Sequence, residues 1–302
     1  MKKAKKIKKP VLMPRKDLMI ISNAYHKNGL DGLLTELKIS LNKLEKYPDQ
    51  VNKTNTWYYN FTKMHNFVLD LKQGNKIKKL PCTIFRKDGN KKLPFYAFST
   101  LPLFSCPGMG TCGKFCYSLK AWRYPASYSR QLMNFILLDI CPELITQAFH
   151  KIKLNSDLRL YVDGDFKTSS DLNFWTQLLE QRLDINSYGY SKSWQLFLDY
   201  KKPFAPNYTL NLSSGSIYEH LKNDMEKLSC TRGEFIAVKS NVKQKKNNTN
   251  WLEYSREVRR SAKDQGINKV FVCPGLCGSC TKSGHACGSD RFKDVIIAIG
   301  IH

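Results

Sequence analysis

Residues 158–193 read LRLYVDGDFKTSSDLNFWTQLLEQRLDINSYGYSKS. The apolar run Leu158–Val162 leads into a turn of Asp and Gly. An amphipathic stretch, Asp171–Arg182, follows, and then a second strand-like run, Ser187–Ser191. A period near 3.6 between two β-rich runs predicts strand–helix–strand. The alternation continues with a helix at Trp194–Tyr200 and a strand at Tyr208–Leu212. A helix at Ile217–Leu228, a strand at Phe235–Ser240, a helix at Trp251–Gln265 and a strand at Val270–Cys273 complete it. Strands that alternate with helices pair in parallel through crossovers. Five or six such units predict an α/β fold, a complete or partial βα-barrel. A doubly wound open sheet is the competitor, but no glycine fingerprint supports a nucleotide-binding version of it.

Parallel α/β sheets collect their ligands at the C-terminal ends of the strands. Those ends are polar here: Asp163-Gly164-Asp165, then Ser191-Lys192-Ser193, then Ser213-Ser214-Gly215. Asp163 and Asp165 suit a cation, a substrate amine or general-base work, or else they shape a loop before a helix capped by Ser169 or Ser170. Lys192 suits a phosphate or carboxylate, or lies along the start of a helix. Ser213 and Ser214 suit an anion, or cap the next helix.

Upstream lies Cys106-Pro-Gly-Met-Gly-Thr-Cys112-Gly-Lys-Phe-Cys116-Tyr117. Three thiols among three glycines form a loop suited to a soft metal or an iron–sulfur cluster. A second cluster, Cys273, Cys277, Cys280 and Cys287, with His285 nearby, could close a four-thiolate zinc site or join the first. Cys82, Cys141 and Cys230 stand alone and are assigned to packing.

Before the cysteine loop, residues 72–92 are basic. Two strand-like runs, Cys82–Phe85 and Phe95–Ser99, flank an Asp88-Gly89 turn that predicts a hairpin. Helical spacing marks 28–47 and 55–72, while a helix at Ser127–Ile140 and another at Glu143–Lys153 follow the loop. Residues 1–16 hold eight Lys/Arg and no acid. The domain reading is therefore a basic tail at 1–16, a helical accessory region at 17–75 and a cysteine-bearing βα domain at 76–302.

The 302-residue chain carries a net charge of +24, which points to a polyanion, nucleic acid ahead of an anionic membrane surface. No apolar run approaches a membrane span and no signal peptide is visible. Ten cysteines, seven of them in tight clusters, argue for metal over disulfides and place the protein in the cytoplasm of a host cell.

The segment Cys112–Tyr117, the Asp-Gly-Asp-Phe and Tyr-Ser-Lys-Ser strand ends and the cysteine-rich C-terminus resemble the gene-product-eighty-eight-like proteins of phages and plasmids, over residues 80–302. That family's cysteine loop and strand order in turn look like the radical S-adenosylmethionine (SAM) barrel. The resemblance implies a [4Fe–4S] cluster on Cys106, Cys112 and Cys116 with SAM on the fourth iron. It places Asp163-Gly164-Asp165 where a Gly-Gly-Glu-like motif holds the SAM amino group. Gly164, Ser191, Ser213 and Ser214 then line the cofactor side, and Asp163, Asp165 and Lys192 take the catalytic positions. The loop spacing, five then three residues, departs from that superfamily's three then two. One of Cys273, Cys277, Cys280 and Cys287 is therefore expected to close the centre, with zinc as the alternative metal. The expected function is an iron–sulfur protein of a mobile element that binds or modifies nucleic acid. Its rivals are a metal-stabilised, non-catalytic nucleic-acid-binding protein and a metal-dependent nuclease using Asp163 and Asp165.

Overall fold

A computed structural model describes residues 12–87, 95–245, 249–275, 280 and 286–301. The hairpin turn expected at 88–92, most of the basic tail, Cys277 and His285 lie outside these residues. The chain divides into two compact units, one made of residues up to 84 with 117–136, the other of 85–116 with 137–302.

The first unit is helical. Helix α1 runs Arg15–Glu45 and is broken at Gly29, whose φ of 60° is non-helical. The stretch expected at 28–47 is its second half. Short α2 (Pro48–Val51) leads to α3 (Trp57–Lys72), capped by Thr56 Oγ1, which accepts from Tyr59 N at 3.2 Å. The unit also takes in the 3₁₀ segment Tyr117–Arg123 and the first part of α4 (Pro125–Ile140). Its core holds Leu18, Ile21, Leu33 and Leu37 of α1, Trp57, Phe61 and Met64 of α3, and Trp122 and Tyr128. Buried Tyr128 needs a polar partner, and its hydroxyl donates to Leu18 O at 3.0 Å.

The second unit is a seven-stranded, fully parallel sheet in the order β1-β2-β3-β4-β5-β7-β6. Its strands are β1 (Tyr96–Ala97), β2 (Asp157–Leu160), β3 (Asn186–Ser191), β4 (Tyr208–Ser213), β5 (Thr231–Lys239), β6 (Val270–Val272) and β7 (Ile296–Ile301). The connecting helices are α5 (Pro142–Phe149), α6 (Ser169–Glu180), α7 (Trp194–Asp199), α8 (Lys222–Met225) and α9 (Trp251–Lys263).

Alternation along the strands sorts two layers. Ile236, Val238, Val272 and Ala298 pack against Tyr254, Val258 and Ala262, which recur every four residues on α9. The other face gathers Ala97, Tyr188, Phe235, Phe271 and Ile297 beneath Ala286 and Cys287. Each large side chain buried in these layers contributes roughly 1.5–3 kcal/mol.

Four expectations differ from the structure. Cys82–Phe85 forms no strand; the two expected hairpin arms meet at an antiparallel bridge between Arg86 and Ala97. The cap of α6 is Thr168, in a reciprocal box with Asp171, and not Ser169 or Ser170. The helix expected at 217–228 shrinks to a 3₁₀ turn, Glu219–Leu221, and α8. The stretch before it is held by the cysteine loop and by Ser216: Ile217 N donates to Gly108 O at 3.2 Å and Tyr218 N to Ser216 Oγ at 3.1 Å. Strand β7 was not expected at all, and it inserts between β5 and β6. Among the described residues, β1 and β6 are the sheet's two edges, with no ladder joining them, and no single helix is long and apolar enough to cross a membrane.

Candidate functional site at the strand ends

The C-terminal ends of β2, β3 and β4 meet beneath the first cysteine loop. Beyond β2 the chain turns through Tyr161 at φ 51° and Gly164 at φ 82°. A side chain at Gly164 would strike the Thr100 and Ser105 hydroxyls, so this turn needs glycine twice over, for its dihedral and for space. Asp165 then points inward, with 4% of its surface exposed. Its carboxylate accepts from Ser191 Oγ at 2.7 Å, Lys192 N at 2.8 Å and Phe166 N at 2.8 Å. Burial nevertheless pushes its pKa up to about 6. Asp165 therefore locks the end of β2 to the end of β3. Asp163 is half-buried, its backbone N donating to Ser99 Oγ at 3.3 Å.

The cysteine loop is fixed at both sides of this junction. Ser105 Oγ accepts from Asp165 N at 3.2 Å and donates to Leu101 O at 2.8 Å, which anchors Cys106. Gly108 lies against the Lys192 carbonyl so closely that an added Cβ would overlap it. Met109 forms a bridge with Ser216, whose hydroxyl donates to Lys192 O at 2.6 Å. The glycines of this loop thus serve a close crossing of backbones over β3 and β4.

Lys192 stands in the middle. Its Nζ donates to Ser213 Oγ at 3.0 Å and to the Ser214 carbonyl. Burial lowers its pKa, opposed by the neighbouring charges of Cys112, Asp165, Glu219 and Cys106. Burial raises the Cys106 thiol well above its ordinary range, and Asp165 and Cys116 push the same way. The structure therefore brings Cys106, Cys112, Cys116, Asp165, Lys192, Ser191 and Ser213 into one neighbourhood.

The second cysteine cluster has different partners. Cys273 follows β6, and its sulfur accepts from Gly275 N at 3.4 Å. Cys280 Sγ accepts from Ala286 N at 3.3 Å. Burial pushes the Cys287 thiol up to about 11, offset by a hydrogen bond with Tyr190 and by the charges of Arg232 and Arg159. Cys287 meets β3 at Tyr190, while the first loop meets the bend just beyond β3, at the Lys192 backbone carbonyl.

Sulfur donors on two adjacent segments suit a soft metal by chemistry. Among the described residues, however, no three His, Cys, Asp or Glu side chains are placed to hold a metal ion, and this includes Cys106, Cys112 and Cys116; Cys277 lies outside the described residues.

Several residues of this region were missed from sequence. Glu219 accepts from Gly215 N at 2.6 Å beside Lys192. Arg232, 2% exposed, donates to Asn211 Oδ1 at 2.6 Å, Phe292 O at 2.7 Å and Val295 O at 2.8 Å. Asn211 donates in turn to Cys287 O at 2.8 Å. An arginine opening a strand-like run was the available signal for this network.

A family model described as Gene product 88 matches residues 69–292. No curated protein and no solved structure matches.

Proposed function

The chain belongs to the Gene product 88 family, and from that premise we propose that its strand ends hold an iron–sulfur cluster in a phage or mobile-element protein that acts on, or binds to, nucleic acid. One observation carries this reading: three thiols on a single loop lie over the ends of β3 and β4, beside Lys192 and Asp165, where a parallel sheet presents its ligands. Cys106, Cys112 and Cys116 are the proposed ligands. To hold a cluster the three sulfurs would have to come together, and Cys106 would give up the proton that burial favours.

Bound there, a cubane cluster supplies one-electron chemistry if one iron stays open to a ligand, or a structural cross-link if a fourth protein thiolate closes it. Closure by a C-terminal cysteine is the favoured form, because Cys287 reaches β3 two residues before Lys192. The barrel-like, radical-SAM-like reading is supported by the fully parallel strands and their crossover helices. Asp165 is engaged by the fold, which puts a cosubstrate role at Asp163, with Lys192 and Ser213 lining the pocket. The same engagement favours a second reading, a non-catalytic nucleic-acid-binding protein with a structural metal. The charge of +24 supports a polyanion partner under either reading.

Reduced, cluster-loaded protein mixed with SAM decides between the open and closed forms. The closed form gives no 5′-deoxyadenosine and no change in the electron paramagnetic resonance signal. SAM cleavage abolished by Cys116→Ala, yet surviving Ala at each C-terminal cysteine, would reverse the assignment and make the enzymatic reading the better one.

A further inference from the structure

The first unit contains a cavity of about 490 Å³ that the strand-end site does not use. That volume falls within the range of ligand pockets, about 300–1,000 Å³. Part of the lining is a face of α3, where Lys63, Phe67 and Asp70 recur at helical spacing; Lys76, Lys78 and Lys79 from the segment after α3 also line it. Four lysines thus line one cavity with a single acid, and Asp70 already accepts from Asn75 Nδ2 at 3.2 Å. Among the described residues, Lys76, Lys78 and Lys79 take part in no ion pair. Lys63 lies over the Tyr59 ring, 5.1 Å from its centre, and in no ion pair either. Like charges around one cavity repel, and an anion relieves that repulsion. Phe67, Leu80 and Pro81 add an apolar part to the lining.

We propose that this lysine-lined cavity binds a nucleotide unit, its phosphate held by Lys76, Lys78 and Lys79 and its apolar body against Phe67 and Leu80. The inference rests on the polyanion part of the reading above and gives it a place in the molecule. A free mononucleotide and a nucleotide within a strand carry the same chemistry, so the test has an arm for each.

The full chain is titrated with a fluorescein-labelled 20-residue oligothymidylate and, separately, with thymidine monophosphate. The variant K76Q/K78Q/K79Q removes three cavity charges. The control K38Q/K43Q/K46Q removes three from exposed positions on α1 and at its C-terminal cap. The cavity variant should weaken oligonucleotide binding about 30-fold at moderate salt and reduce the log–log salt slope by about 0.7, as expected for one lost phosphate contact on a single strand. The control should change affinity by less than about threefold. Displacement of the oligonucleotide by thymidine monophosphate marks the free nucleotide as a ligand, and binding of the oligonucleotide alone marks the strand. As a readout on the unaltered protein, bound oligonucleotide should protect Lys76, Lys78 and Lys79 from acetylation while Lys38, Lys43 and Lys46 stay reactive. Equal losses in the two variants, or equal acetylation of the two lysine sets, would overturn the cavity and leave the polyanion reading standing. No binding of either probe to the unaltered protein would overturn both.

Discussion

Asp165 shows how one buried carboxylate can organise a site without reaching into it. Its oxygens meet Ser191 Oγ, Lys192 N and Phe166 N, so the side chain ties two strand ends together. Burial raises its pKa from 3.8 to about 6, so the folded state holds this proton more tightly than the unfolded chain does. Its contribution to stability is therefore full below pH ~4 and is lost as the pH rises through about 6, a linked change of about 3 kcal/mol. Asn at this position cannot titrate. In urea titrations, the stability of the wild type relative to Asp165→Asn should fall by about 3 kcal/mol between pH 4 and pH 7; a difference that stays flat would show that the carboxyl is not held this way. Gly108 is the second residue on which the crossing depends. Gly108→Ala forces its Cβ against the Lys192 carbonyl, so the loop must lift. A loss of about 1–3 kcal/mol and faster reaction of Cys106 with a thiol reagent are expected; unchanged stability and reactivity would mean that the loop does not cross there. The aspartate pair was legible in the sequence as a polar strand end. Its division of labour was not, because Ser191 and Lys192 become partners of Asp165 only when β2 and β3 pair.

At the level of elements, strand and helix alternation from 157 to 272 could be read from apolar periodicity, because each crossover helix covers the strands it joins. Strand β7 escaped that reading. It follows the cysteine-rich segment and, among the described residues, only the short 3₁₀ turns Ala286–Gly288 and Asp290–Phe292 lead into it; its place between β5 and β6 depends on long-range contacts. Arg232 supplies several of them. It opens β5 and donates to Asn211 of β4 and to the carbonyls of Phe292 and Val295 just before β7. Lysine keeps the charge but cannot fork to three acceptors. Arg232→Lys should therefore cost roughly 3 kcal/mol, since hydrogen bonds to charged groups are each worth about 1.5–3 kcal/mol. It should also speed hydrogen exchange in 296–301 more than in β2. A uniform rise in exchange would show that Arg232 does not pin β7. The shortened helix after β4 makes the same point from the other side: the stretch before it is held by the cysteine loop and Ser216, which local propensity cannot foresee.

For the whole molecule, the charge and the cysteine spacing led to the expectation of a polyanion partner and a soft ligand, but neither gave a geometry. The structure sets Cys287 against Tyr190 of β3 and the Cys106–Cys116 loop against Lys192, just beyond that strand. Sequence spacing could not supply that, since Cys116 and Cys287 are 171 positions apart in the chain. The proposal that these thiols hold an iron–sulfur cluster is tested most directly by iron, acid-labile sulfide and zinc per chain, in protein purified without oxygen. The comparison is with a variant carrying Ala at Cys106, Cys112 and Cys116. About four irons and four sulfides per chain are expected in the wild type, with loss of both in the variant. Stoichiometric zinc without iron, or iron that survives replacement of all three cysteines, would contradict it.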